Sequence, residues 1–235
     1  KFINKLDNKM NILITGTSSG LGYELAKQFS LEGHNVYGMS RKKSNLQIKQ
    51  VQVDFVDLQS VAIAMNNLID ITKIDLVILN AGQLGEINKT NDIKINQFND
   101  IFNINVLSNK VIIDWLLNHN ISVKSIIGIS TGAALKAYHG WSLYCASKAA
   151  FKQLLSTYAY EESNIHFLSL APGIIKTKMQ EYIYEIDSNK IPSVKKFKDM
   201  FSTMDTADIV ANKIINNLPY FSELESGDYL DLRNI

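Results

Sequence analysis

Asn11-Ile12-Leu13-Ile14-Thr15-Gly16-Thr17-Ser18-Ser19-Gly20-Leu21-Gly22 reads as a short apolar run that breaks into a glycine-rich turn. The run has the continuous hydrophobicity of a parallel strand buried on both faces. Tyr23-Glu24-Leu25-Ala26-Lys27-Gln28-Phe29 follows, with apolar residues at helical spacing. Strand, glycine turn and helix in that order form the first half of a dinucleotide-binding unit. Gly16, Gly20 and Gly22 permit a tight turn and a close approach of the backbone to a pyrophosphate, and the helix N-terminus offers amide donors to the anion. Thr17, Ser18, Ser19 and Leu21 are the other candidate contacts of the loop. The spacing is Gly-x-x-x-Gly-x-Gly, and taken alone it also fits an ordinary strand-to-helix turn.

The pattern continues downstream. Strands are expected near Asn35–Met39, Gln50–Val53, Asp75–Leu79, Val123–Ile129, His166–Leu170 and Tyr229–Leu232. Helices are expected near Leu21–Glu32, Leu58–Asp70, Asn96–Asn118, Ser142–Tyr160 and Thr206–Asn217. Repeated strand–helix alternation without a Pro/Gly-rich linker predicts one α/β domain, a Rossmann-type doubly wound parallel sheet. The gap between the second and third strands leaves room for only a stub of helix.

The second strand ends in Ser40-Arg41-Lys42-Lys43. Strand two meets the adenine ribose in such folds, where an acidic residue would hold two hydroxyls and repel a 2′-phosphate. Here Ser40 and Arg41 offer a hydroxyl and a guanidinium fork, which suit a phosphate. The expected cofactor is NADP(H).

Tyr144-Cys145-Ala146-Ser147-Lys148 lies within a helical stretch, so a spacing of four puts phenol and ammonium on one face. A phenol titrates near ~10 and is a poor proton donor or acceptor at neutral pH. A lysine cation beside it is expected to lower that value toward the working range. The spacing alone occurs on many solvated helices; downstream of the glycine turn it points to an enzyme.

These residues resemble the short-chain dehydrogenase/reductase family from Met10 onward. Further matches are Asn80-Ala81-Gly82 after an apolar strand, Asn103-Ile104-Asn105-Val106, and Pro172-Gly173-Ile174-Ile175-Lys176-Thr177. Gly140-Trp141-Ser142-Leu143-Tyr144-Cys145-Ala146-Ser147-Lys148-Ala149-Ala150 is similar to the sepiapterin reductase and bacterial benzil reductase branch, as are Glu161-Glu162-Ser163-Asn164-Ile165 and Ala171-Pro172-Gly173 with Thr177, Met179 and Gln180. The resemblance implies that Tyr144 protonates a carbonyl oxygen as hydride arrives. It implies that Lys148 holds the nicotinamide ribose and lowers the tyrosine pKa, and that Asn105 fixes a water linking Lys148 to solvent. Asp54, with Phe55 beside it, is expected at the adenine. Asn80, Ala81 and Gly82 are expected along the cofactor cleft, and Pro172, Gly173, Ile175 and Thr177 near the nicotinamide. The family places a serine thirteen residues before the tyrosine; here that residue is Thr131, preceded by Ser130. Thr131 keeps a hydroxyl that can orient the substrate oxygen, but its methyl restricts the rotamer.

Trp141 beside the tyrosine suggests a flat or aromatic substrate. Asp231 lies where sepiapterin-like reductases carry a pterin-anchoring aspartate, and it also fits a solvated strand end. Residues 178–203 interrupt the strand–helix rhythm at a carboxyl strand end, where such sheets bind ligands, and form a candidate substrate lid. Tyr182, Tyr184, Phe197, Met200 and Phe201 supply an apolar face for it, or else pack into the body. The leading expectation is reduction of a ketone or diketone, pterin-like or aromatic. The alternative is a cofactor-binding sensor or scaffold with little turnover, motivated by Thr131.

Of 235 residues, 46% are apolar, enough for one sizeable core. Lys plus Arg number 24 and Asp plus Glu 23, so no basic field points to nucleic acid. No apolar run reaches membrane-spanning length. The lone Cys145 leaves no intramolecular disulfide and fits a reducing, cytoplasmic setting. The four histidines lack metal-ligand spacing, so no metal is expected; His139 could reach a substrate from its loop. Met10 reads as a natural start, and residues 1–9 as a loosely ordered extension without a secretion signal. A homodimer is expected through the two long helices, with Phe102, Val106, Ile113, Trp115, Phe151 and Leu155 as apolar positions beyond those covering the sheet.

Overall fold

A computed structural model describes residues 9–235; the expectation of a loosely ordered N-terminal extension falls almost entirely outside them. Seven strands form one parallel sheet: β1 (Asn11–Thr15), β2 (Asn35–Ser40), β3 (Lys49–Gln52), β4 (Lys73–Leu79), β5 (Ser122–Ile129), β6 (His166–Ala171) and, from the chain's end, β9 (Tyr229–Asp231). Their order across the sheet is β3-β2-β1-β4-β5-β6-β9. β1 pairs in parallel with β2 on one side and β4 on the other, so the winding reverses beside β1 and opens a crevice at the carboxyl edge.

The period-2 alternation of strands sorts the core into two layers. Ile12, Ile14, Ile78, Ile127 and Leu168 face helices α1 (Gly20–Leu31) and α8 (Ala207–Asn216). Leu13, Val77, Leu79 and Ile126 face α2 (Leu58–Leu68), α4 (Ser108–Asn118) and α5 (Ser142–Glu161). Both faces are covered, which is why the strands read as unbroken apolar runs.

Three expectations change. The segment between β2 and β3 holds bends and no helical stub. The single helix expected over Asn96–Asn118 is α3 (Ile95–Phe102), a π-helical turn over Asn103–Leu107, and then α4. Val106, Ile113, Phe151 and Leu155 are buried inside the chain, while Phe102 and Trp115 are half-buried against the same core, so this set covers the sheet rather than a partner.

Residues 175–206 form a separate cap. A two-stranded parallel ribbon, β7 (Ile175–Lys176) with β8 (Asp205–Thr206), closes its base. Between them run α6 (Lys178–Glu185) and α7 (Lys195–Asp199), and α9 (Leu218–Phe221) follows α8 further along. Ile183, Ile191, Val194 and Phe197 from the cap join Leu84, Ile87 and Trp141 in a third apolar cluster. The aromatic face expected of this segment therefore divides. Phe197 packs inward, whereas Tyr182 and Tyr184 are 43% and 51% exposed.

Candidate active site

A cleft of about 830 Å³ runs along the carboxyl edge of the sheet at the winding reversal. Its first wall is the glycine loop. Gly16 has φ +79°, and a Cβ there would lie 2.7 Å from Asn80 Nδ2 and 3.2 Å from Ala81 Cα, so only glycine fits. Thr15 Oγ1 accepts from the amides of both Asn80 and Ala81 at 2.9 Å, and Asn80 Nδ2 donates to the Thr15 carbonyl at 2.9 Å. The loop after β4 is thereby tied to the loop after β1. Ser19 caps α1 without any side-chain hydrogen bond, and the first turn holds no acid. The free amides and positive end of this helix face the cleft, which fits an anionic pyrophosphate.

Gly16, Ser18, Ser19, Gly20 and Leu21 line this wall, with Ser40, Arg41, Asp54 and Phe55 at one end. Thr17 and Gly22 do not line it. Thr17 is fully buried, with Oγ1 donating to Ser40 Oγ at 3.4 Å, and so joins the loop to β2. A Cβ on Gly22 would lie 2.4 Å from the Gly16 carbonyl oxygen, so this glycine seats α1 against the loop. Ser40 Oγ donates to the Lys42 carbonyl at 2.7 Å, leaving the exposed Arg41 as the cationic group of that end.

Toward the centre, Asn80, Ala81, Gly82, Thr131, Tyr144 and Lys148 meet Pro172, Gly173, Ile175 and Thr177 across the cleft. Lys148 is buried, and its Nζ donates to the Ile129 carbonyl at 2.8 Å and lies 5.9 Å from the centre of the Tyr144 ring. Thr131 Oγ1 accepts from the Ala133 amide at 3.3 Å, and its hydroxyl lies against the Tyr144 phenol. Asn105 lies fully buried in the π-helical turn. Its Oδ1 accepts from the Gln83 amide at 2.8 Å; its Nδ2 donates to the Gln83 carbonyl at 2.8 Å and to Ser147 Oγ at 2.9 Å. The Asn105 side chain thus clamps the loop after β4 onto α5, and its amide is fully engaged.

Electrostatics depart from the lysine-lowered phenol. Burial pushes Tyr144 up to about 12, opposed by the Thr131 hydroxyl and reinforced by Cys145. Burial brings Lys148 down to about 8. Desolvation disfavours the charged form of each and is the largest cause of both shifts.

Two expected substrate contacts lie elsewhere. Trp141 is 4% exposed, stacks on Phe197 at 4.9 Å between ring centres, and donates from Nε1 to Ser193 Oγ at 2.9 Å; it belongs to the cap's core. Asp231 is held by Arg233, with Nε to Oδ1 at 2.8 Å and Nη2 to Oδ2 at 2.5 Å, and also accepts from the Arg233 amide. Neither lines the cleft. Gln83, Leu84 and Gly85 do line it, together with Met179, Gln180 and Tyr182. The first three simply continue the loop after Gly82, a position that their sequence alone did not mark. Among the described residues no group of three His, Cys, Asp or Glu is placed to hold a metal ion.

A family model described as short chain dehydrogenase matches residues 10–187. The chain belongs to the short-chain dehydrogenase family. Enzymes of this family are oxidoreductases that use nicotinamide cofactors. Benzil reductase ((S)-benzoin forming) of Bacillus subtilis (strain 168) is 26% identical, covering 94% of this chain and 97% of that protein. Sepiapterin reductase of Bos taurus is 30% identical over 66% of this chain and 61% of its own. The crystal structure of the KRED1-Pglu enzyme superposes with a TM-score of 0.82 at 24% identity, covering 94% of this chain and all of that one. With these relatives the family supports carbonyl reduction in general terms.

Proposed function

We propose that this short-chain dehydrogenase is an NADPH-dependent carbonyl reductase acting on ketones or diketones of aromatic or similarly apolar character. The observation that carries the reading is the meeting of Thr131, Tyr144 and Lys148 at the centre of one cleft whose wall is the uncapped helix N-terminus. The glycine loop would hold the pyrophosphate, Arg41 the 2′-phosphate, and Asp54 with Phe55 the adenine. Lys148 would hold the nicotinamide ribose, with Thr177 at the carboxamide. The bound cofactor would supply hydride; the chain's own residues handle the proton. A phenol pushed up to about 12 remains protonated through the neutral range, so Tyr144 is poised as a general acid toward a developing alkoxide. The Thr131 hydroxyl would donate to the same oxygen and orient the carbonyl. Asn105, by clamping the Gln83 backbone to Ser147 on α5, keeps cleft floor and catalytic helix in register.

Apart from Asp54, no carboxylate lines the cleft among the described residues. A pterin-like ring rich in N–H donors would therefore lack a carboxylate acceptor at the substrate end, and this favours apolar carbonyl compounds. The competing reading, a cofactor-binding sensor with little turnover, rests on Thr131 in place of serine. Oxidation of NADPH followed across a panel of aliphatic and aryl diketones separates the two. Turnover by the parent and a loss of about 10²–10⁴-fold in Tyr144→Phe, with NADPH binding kept, is the expected result. Equal activity of parent and variant would remove Tyr144 from the mechanism.

We also propose a homodimer in a reducing, cytoplasmic compartment, which suits the free Cys145. Ala146, Ala149, Gln153 and Thr157 form one exposed stripe on α5, small enough for a second copy of that helix to approach closely.

A further inference from the structure

Ser193 is the polar joint between the cap segment 178–203 and the body. Among the described residues, the segment 178–203 hydrogen-bonds to the rest of the chain only through the Ser193 hydroxyl, apart from turn bonds of Gln180 and Glu181 to the neighbouring Thr177. Ser193 Oγ accepts from Trp141 Nε1 at 2.9 Å and donates to the His139 carbonyl at 2.7 Å. Both partners sit on the loop that leads into α5, and the Trp141 ring centre is 6.2 Å from that of Tyr144. The rest of the segment's packing against the body is apolar, with Ile183, Ile191, Val194 and Phe197 against Leu84, Ile87 and Trp141; at the cap's base Asp205 pairs with Lys213 of α8. Apolar packing is non-directional and tolerates sliding, whereas a two-bond hydroxyl joint selects one register. That register matters because the cap presents Met179 and Tyr182 to the cleft.

We propose that Ser193 is a positioning residue. It latches the cap to Trp141 and so sets the Met179–Tyr182 wall of the substrate end. The inference builds on the carbonyl-reductase reading. A carbonyl compound large enough to touch that wall depends on the latch; a small one, held by Thr131 and Tyr144, does not.

The chain has two tryptophans, Trp115 and Trp141. Trp115→Phe, on α4 and remote from the cleft, leaves Trp141 as the sole reporter. In this background Ser193→Ala and Ser193→Thr are compared with the parent by Trp141 emission and acrylamide quenching, without cofactor or substrate. NADPH affinity, kcat and KM follow for 1-phenyl-1,2-propanedione and for 2,3-butanedione. Ser193→Ala is expected to shift emission to the red, to raise quenching about twofold, and to raise KM for the aryl diketone about tenfold, the equivalent of about 1.4 kcal/mol. Its kcat, its butanedione KM and its NADPH affinity stay within about twofold of the parent, and Ser193→Thr restores parent behaviour. Unchanged quenching in Ser193→Ala, or equal KM increases for both diketones, would overturn the latch. If the parent reduces neither diketone, the reductase reading fails while the quenching result alone decides whether Ser193 holds the cap.

Discussion

Lys148 on α5 donates from Nζ to the carbonyl of Ile129, the last residue of β5, at 2.8 Å. The contact exists because Gly128 precedes Ile129. A Cβ at Gly128 would lie 2.3 Å from Leu155 Cδ1 and 2.8 Å from the Phe151 ring, so the missing side chain lets α5 settle onto the strand. The close approach buries the ammonium and sets its titration.

That burial costs stability below pH 8. Lys148 is held near 8 in the folded chain, against an ordinary 10.5. Below pH 8 both states are protonated and the penalty is fully present; between 8 and 10.5 the unfolded chain binds more protons, so stability rises with pH. Lys148→Met without cofactor is therefore expected to be more stable than the parent at pH 7. The gain is up to about 3 kcal/mol, less the lost bond to Ile129. The gap should close as pH rises through 8 to 10. Denaturant unfolding of both proteins across that range checks it; parallel curves would sink the assignment.

Arg41→Ala should weaken NADPH by roughly 10- to 100-fold, the worth of a charge-assisted contact. NADH affinity should change less than about twofold, since it lacks the 2′-phosphate. Fluorescence titration gives both dissociation constants. Equal losses for the two cofactors would show that Arg41 does not read the phosphate.

Asn105→Ala should destabilise by about 2–3 kcal/mol, because it removes three hydrogen bonds, one of them to the buried Ser147 hydroxyl. For a chain of this size that is a fall in Tm of roughly 5–10 °C. Activity should fall as well, since the clamp holds α5 against the cleft floor. A calorimetric scan with Tm within a degree of the parent would show that the clamp is dispensable.

The exposed α5 stripe predicts dimerisation. Light scattering at micromolar concentration should give twice the 26.4 kDa chain mass. Ala149→Arg, which places a bulky cation in the centre of the stripe, should give a monomer with lower activity. A parent that is monomeric and fully active would defeat the interface.

Local sequence carried most of the fold. The β1 run, the glycine turn and the period of α1 are short-range signals, and each strand's unbroken hydrophobicity already implied a sheet covered on both faces. The Tyr144–Lys148 pair was legible for the same reason: one helical turn separates them. What lay beyond the letters depends on neighbours distant in the chain. The π-helical turn at Asn105 is held by Gln83 and Ser147, and neither partner is near it in sequence. Trp141 stood beside the tyrosine and so looked like a substrate contact, yet Phe197 and Ser193 arrive from the cap to bury it. Spacing alone put a cation beside a phenol and implied a lowered pKa; the packing of α5 onto β5 desolvates both groups, and the phenol is pushed up instead. Periodicity and turn chemistry reside in adjacent residues, whereas burial and pairing are properties of the space between elements, which only tertiary packing defines.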